Sequence, residues 1–189
     1  MSRMIKNEPV LFLNDAYCAC FASNKLCFDC VIYENEFEEK INSMSHNVFI
    51  FLLSGTLSLT IDGSRKHTFD NNEIIFIPRY SVCHLSVTRY TKFVTARFRE
   101  IKDRYGLTLI KLIKAEYPVI PSTFPCLPMN PVLLEYIGEV CRFLANPINE
   151  HQKCEVLEEE FFMVFGVYYT KRELARLFSP ILINPQLIR

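Results

Sequence analysis

Residues 18 to 30 read CACFASNKLCFDC and put Cys18, Cys20, Cys27 and Cys30 within a short reach of one another. A structural zinc ion takes four such ligands in tetrahedral array, as a rule from two tight pairs carried on turns. Cys27-x-x-Cys30 has a suitable spacing, but Cys18-x-Cys20 is a poor partner, and neither pair holds the Gly or Pro of a knuckle. If Leu26 to Tyr33 is a strand, Cys27 and Cys30 point to opposite faces, because side chains alternate along a strand with a period of two. The expectation is no bound metal and four packed thiols. Cys83, Cys126, Cys141 and Cys154 are scattered, and none pairs with a histidine in a way that suggests a nucleophile.

The other chemistry-bearing residues are equally dispersed. His46, His67, His84 and His151 form no short ligand motif, and the acidic run from Glu34 to Glu39 reads as a solvated face beside a strand end rather than as paired acid-base carboxylates. The tract Glu155 to Glu160 reads as the wet side of an amphipathic helix. With five glycines in 189 residues, the chain has no phosphate-cradling loop. Its 21 basic and 21 acidic residues cancel, so no overall field draws it to nucleic acid or to an anionic membrane. The apolar run Val10 to Leu13 is too short for a signal sequence, and no stretch is long enough to span a bilayer. A cytoplasmic location with reduced thiols is expected.

The elements that would position these residues fall into two parts. From Leu26 to Phe98, β-branched and aromatic runs are broken at Ser54-Gly55, Asp62-Gly63 and Asp70-Asn71-Asn72. Leu57, Leu59 and Ile61 alternate with Thr56, Ser58 and Thr60, as in a strand with one dry face and one wet face. Val48 to Leu53 and Ile74 to Ile77 are apolar throughout, as in strands covered on both faces, and Pro78 ends the second run. Short strands at this spacing predict a sandwich or small barrel. Residues 107 to 117 read as a helix with Leu109, Leu112 and Ile113 inward.

Prolines at 118, 121, 125, 128 and 131 then make a stiff connection and a boundary. Three helices follow. Asn130 caps the first, and Leu133, Ile137, Val140, Cys141 and Leu144 form its apolar stripe. The second places Leu157, Phe161, Val164, Phe165 and Tyr168 on one side. The third opens with a Thr170-Glu173 capping box and stops at Pro180.

Residues 47 to 85, NVFIFLLSGTLSLTIDGSRKHTFDNNEIIFIPRYSVCHL, resemble the double-stranded β-helix of the cupin superfamily. Gly55 sits where the first cupin motif ends, and Pro78 follows Asn72 at the spacing of the second. The metal ligands do not follow: Val48 stands at the carboxylate position, Met44 and Asn42 (or Ser43 and Ile41) stand where the histidine pair belongs, and His84 misses its place by one. A cupin barrel without metal followed by helices resembles the amino-terminal effector and dimerisation domain of AraC-family transcriptional regulators. Residues 129 to 144 and 154 to 185 resemble the helices that precede the DNA-binding part of one group of these proteins.

The resemblance implies a mainly β fold with α, a cupin-like jelly roll over residues 1–128 and a helical dimerisation and linker segment over 129–189. It also implies a small-molecule effector, a homodimer, no cofactor, and DNA contact only through paired helix-turn-helix units that this sequence lacks. The expected effector-lining residues are Phe49, Phe51, Tyr80, His84 and Arg97; Arg97 requires an anionic partner if it faces inward. Leu133, Ile137, Cys141 and Leu144 are the expected dimer face, with internal core as the alternative. Two rival readings are a metal-dependent cupin enzyme with a displaced site at His46, His84 and Glu34 to Glu39, and a barrel that serves only as a dimerisation scaffold.

Overall fold

The computed structural model describes residues 26–41, 44–101, 104–118, 124–145, 160–184 and 186. Among the described residues, nine strands form two antiparallel sheets. The first has the order β1 (Cys27–Tyr33), β8 (Thr91–Phe98), β3 (Asn47–Ser54), β6 (Glu73–Ile77) and β9 (Cys126–Pro128). The second has the order β2 (Phe37–Ile41), β7 (Cys83–Val87), β4 (Leu57–Ile61) and β5 (His67–Phe69). Leaving β9 aside, the sheet orders 1-8-3-6 and 2-7-4-5 are those of the jelly roll, with consecutive strands changing sheet at every step except the β4–β5 hairpin. Apart from β4 and β5, successive strands therefore do not pair with each other, and the interior is assembled from the whole length of the barrel sequence.

Sheet alternation explains which residues meet. On β4, Leu57, Leu59 and Ile61 are buried while Ser58 and Thr60 are partly exposed, so the second sheet has a dry inner face and a wet outer one. The first sheet is buried on both faces. Val48, Ile50 and Leu52 of β3 pack into the space between the sheets, with Val31, Leu59, Ile75, Leu85 and Phe93. Phe49 and Phe51, one residue out of phase, pack into a second core beneath the helices. The molecule thus has three layers: the solvated sheet, the buried sheet and a helical cover.

That cover consists of α1 (Arg104–Glu116), α2 (Pro131–Ala145), the helical residues 160–168, called α3, α4 (Lys171–Leu177) and α5 (Ser179–Ile183). Its apolar stripes are mostly those of the sequence, with three shifts. In α1, Ile110 and Ile113 are buried but Leu112 is 44% exposed. In α3, Phe161, Phe162 and Phe165 are buried, Tyr168 is 49% exposed, and the following Tyr169 turns inward. Its hydroxyl donates to the Pro128 carbonyl and accepts the Asn130 N–H, each at 3.0 Å. This bond gives the buried phenol a partner, which Tyr168 at the helix surface does not need. Pro180 ends α4 but also lies in the first turn of α5, where its missing N–H costs no helical bond.

The two expected caps are present. Asn130 Oδ1 accepts the Leu133 N–H at 2.8 Å, and Thr170 and Glu173 exchange the reciprocal bonds of a capping box. The division at residue 128 does not separate two cores. The proline-rich connection contributes β9 to the edge of the first sheet, and one apolar cluster runs from Phe49, Phe76 and Phe98 of the barrel to Leu133, Phe161 and Phe178 of the helices. Among the described residues, no helix is long and apolar enough to cross a membrane.

Candidate functional site

The inner face of the barrel is apolar except at a few positions on strands β1, β2 and β8. On β1 the inward residues are Cys27, Asp29, Val31 and Tyr33; on β8 they are Thr91, Phe93, Thr95 and Arg97. Asp29 pairs in register with Thr95, and Cys27 with Arg97, so Asp29 and Arg97 lie on adjacent strands along a diagonal. Their carboxylate and guanidinium form an ion pair in which the Arg97 side chain is 8% exposed and that of Asp29 is 37% exposed. The anionic partner that an inward Arg97 requires is thus supplied by the chain itself.

Glu39 enters the same space from the second sheet. Strand β2 turns Phe37, Glu39 and Ile41 inward and leaves Glu38 and Lys40 in solvent, and Glu39 is 7% exposed. Its Oε1 atom has no hydrogen-bond partner among the described residues, and burial holds the carboxyl above the usual glutamate range. Thr95 Oγ1 is likewise buried without a partner among them. Tyr33 is held above its usual value, first by burial and then by the Glu39 charge. Burial, Glu39 and Asp62 push the Cys83 thiol up to about 12. The result is a predominantly apolar interior with an ion pair, an unmet carboxyl and an unmet hydroxyl aimed into it.

The expected lining residues are not brought together. Phe49 and Phe51 face the helices and are fully buried there, so the structure places them in the second core rather than in the barrel. The reason is phase: a strand covered on both faces looks the same from sequence whichever set of side chains faces in. Tyr80 sits in the turn after β6 with φ 70° and 64% exposure, its ring under the Arg79 guanidinium. His84 is exposed on the wet face of β7, since Cys83, Leu85 and Val87 take the inward positions. Of that set, Arg97 alone reaches the interior.

Asp29, Thr95 and Tyr33 are not among the residues the sequence singles out, and Glu39 enters there only as one end of the Glu34 to Glu39 run. The signal was available for two of them: Asp29 alternates in step with Val31 and Tyr33, and Glu39 with Phe37 and Ile41.

The expected dimer stripe is largely internal. Leu133 and Ile137 have no exposed surface and belong to the core under the first sheet, while Cys141 and Leu144 are half-buried against it. The cysteines also resolve by face. Cys27 and Cys83 point into the barrel, whereas Cys30 points to α2, opposite to Cys27 as alternation requires. Cys18, Cys20, Cys154 and His151 lie outside the described residues. His46 is 8% exposed beside Ser45 Oγ at 2.6 Å, and His84 is on the outer face, so the displaced metal site is not assembled from these two. Among the described residues, no group of three or more His, Cys, Asp or Glu side chains is set to hold a metal ion.

No protein-family model and no curated protein matches the chain. Several solved structures overlap it in part. ToxT from Vibrio cholerae strain SCE256, with an unsaturated fatty acid bound, is 10% identical over 75% of this chain and 53% of ToxT, with a TM-score of 0.49. The apo form of a ToxT variant is 8% identical over 87% and 58%, with a TM-score of 0.48. An RmlC-like cupin with a double-stranded β-helix fold from Methanocaldococcus jannaschii is 14% identical over 40% of this chain and 72% of that one, at 0.36. A protein of unknown function from Pseudomonas syringae pv. tomato is 11% identical over 43% and 33%, at 0.36. The chain therefore spans just over half the length of ToxT and a third of the Pseudomonas protein. Its function has to be argued from its own residues.

Proposed function

We propose that this chain is the effector-sensing and dimerisation part of an AraC-like transcriptional regulator, non-enzymatic in itself, with the effector held between the two sheets. One observation carries the reading: an otherwise dry barrel interior contains the Arg97 guanidinium, paired to the half-exposed Asp29, the Glu39 carboxyl and the Thr95 hydroxyl. Buried polar atoms without partners cost about 1–3 kcal/mol each, more when charged, and a ligand that supplies the missing bonds recovers that cost. The sequence resemblance over the cupin-like strands and the later helices supports the regulatory context. In this reading DNA is contacted by helix-turn-helix units outside these 189 residues, and the homodimer forms with the Leu133 and Ile137 stripe still buried within each chain.

A panel of small organic acids and amines tests the reading on the purified chain by circular-dichroism melting. The expected result is a compound that raises the melting midpoint of the wild type, with the rise lost in Arg97→Met and Glu39→Gln. Sedimentation analysis should show a dimer. Stoichiometric iron, manganese or zinc that is lost on His84→Ala would overturn the proposal in favour of a metal-dependent enzyme.

A further inference from the structure

Strand β1 places Cys30 on the helix-facing side of the first sheet, and α2 passes directly over it. Cys141, on the second-last turn of α2, brings its Sγ to 3.8 Å from Cys30 Sγ. The two residues are separated by 111 positions in sequence, so the fold alone creates the pair. Both thiols are half-buried at the margin of the core and do not line the barrel interior. Lys92 extends from β8 on the same face, adjacent to Ile32 in register, and its charge acts on both sulfurs. The contact with Cys30 and then the Lys92 ammonium outweigh burial and favour the thiolate at Cys141, which is lowered to about 7, while Cys30 is held up.

We propose that Cys30 and Cys141 form a peroxide-oxidisable thiol pair that closes to an intramolecular disulfide and clamps α2 to the barrel. Closure requires the sulfurs to approach by about 1.8 Å, from their present contact to a bonded S–S length. The Cys141 thiolate attacks one oxygen of hydrogen peroxide; the S–O bond forms, the O–O bond breaks, and hydroxide leaves to become water with the proton given up by Cys141. Cys30 sulfur then attacks Cys141 sulfur; the S–S bond forms, the S–O bond breaks, and the hydroxyl departs as water with the Cys30 proton. Two thiols are oxidised, one peroxide is reduced, and two waters are released. A dithiol reverses the step by exchange through a mixed disulfide. The pair acts independently of what occupies the barrel, so it stands or falls apart from the effector reading.

Reduced full-length chain, freed of reductant and treated with hydrogen peroxide, provides the test. Intact mass should fall by two hydrogens, and a peptide map under non-reducing conditions should show Cys30 linked to Cys141 within one chain. Dithiothreitol should restore both. Cys30→Ser should lose the cross-link and retain a Cys141 sulfenic acid, read as its dimedone adduct; Cys141→Ser should lose both. A wild-type chain that keeps its full mass under excess peroxide, or that links any other cysteines first, overturns the proposal whatever the variants do.

Discussion

Truncating Phe49 to Ala tests whether the barrel and the helices are one cooperative unit. Phe49 has no exposed surface. Its ring meets Phe51, Phe76 and Phe98 of the sheet at centroid distances of 6.2, 4.8 and 5.8 Å. It meets Phe161, Phe165 and Phe178 of the helices at 5.5, 5.5 and 5.7 Å. Removing a buried Phe costs about 3–5 kcal/mol, and the value depends on how far the site can collapse. Here the surrounding rings are held by two different layers, so collapse is limited and the upper half of that range, about 4–5 kcal/mol, is expected. For a chain of this length each kcal/mol shifts the melting midpoint by about 2–4 °C, which gives a fall of about 8–20 °C. Phe49→Leu, which leaves most of the volume filled, should cost less than half as much. The chain has no tryptophan, so urea unfolding is followed by near-ultraviolet circular dichroism for the aromatic core and far-ultraviolet signal for the helices. Both probes should move together to a lower midpoint. A cost under about 1.5 kcal/mol, or a helical transition that shifts while the barrel transition stays in place, would refute the single shared core.

Glu39 carries a pH dependence with a definite sign. Its folded pKa is raised above the ordinary 4.5, so the penalty for burying the charge is fully present above the folded value and fades as pH falls to the unfolded one; wild type should gain urea resistance relative to Glu39→Gln on acidification through that window, and parallel curves would contradict it. At pH 8, Glu39→Met should be more stable than wild type by about 1–3 kcal/mol, because it removes an unmet buried polar group. Thr170→Ala removes one half of the capping box of α4 and should cost about 1 kcal/mol in chemical denaturation. Gly55→Ala should be more damaging than a surface change: φ is +84° and an added Cβ would sit 2.5 Å from Thr91 Oγ1, so a lowered melting midpoint is expected.

Much of this architecture was legible because jelly-roll strands are short and their alternation is strict. The dry and wet faces of β4, the end of β6 at Pro78, the cap at Asn130 and the capping box at Thr170 each follow from a local pattern that tertiary packing did not override. Phase was not legible where both faces are dry. Phe49 and Val48 are equally apolar, and only the presence of helices on one side assigns Phe49 to them. The same limit leaves the α2 stripe open between dimer face and internal core in the sequence, since an amphipathic helix states that one side is buried without stating against what. The interior site was half legible: Arg97 was marked by its charge in an apolar run, whereas Glu39 was hidden inside an acidic run whose other described members are solvent-facing or half-exposed. Cys30 and Cys141 could not have been paired from sequence, because nothing local brings positions 111 apart together.

The buried sheet is a partition one strand thick. On β3, Val48, Ile50 and Leu52 press on the contents of the barrel while Phe49 and Phe51 press on the helices. Close-packed interiors have little spare volume, so a molecule that widens the space between the sheets must either displace barrel side chains or bow this wall outward. If it bows, the six-ring contact of Phe49 transmits the displacement to α3 and to the α4–α5 junction at Phe178 without any hinge, lid or flexible loop. A message then crosses the molecule as a change in the shape of a shared wall, and the sensitivity of the device is set by how stiffly the aromatic cluster resists being pushed.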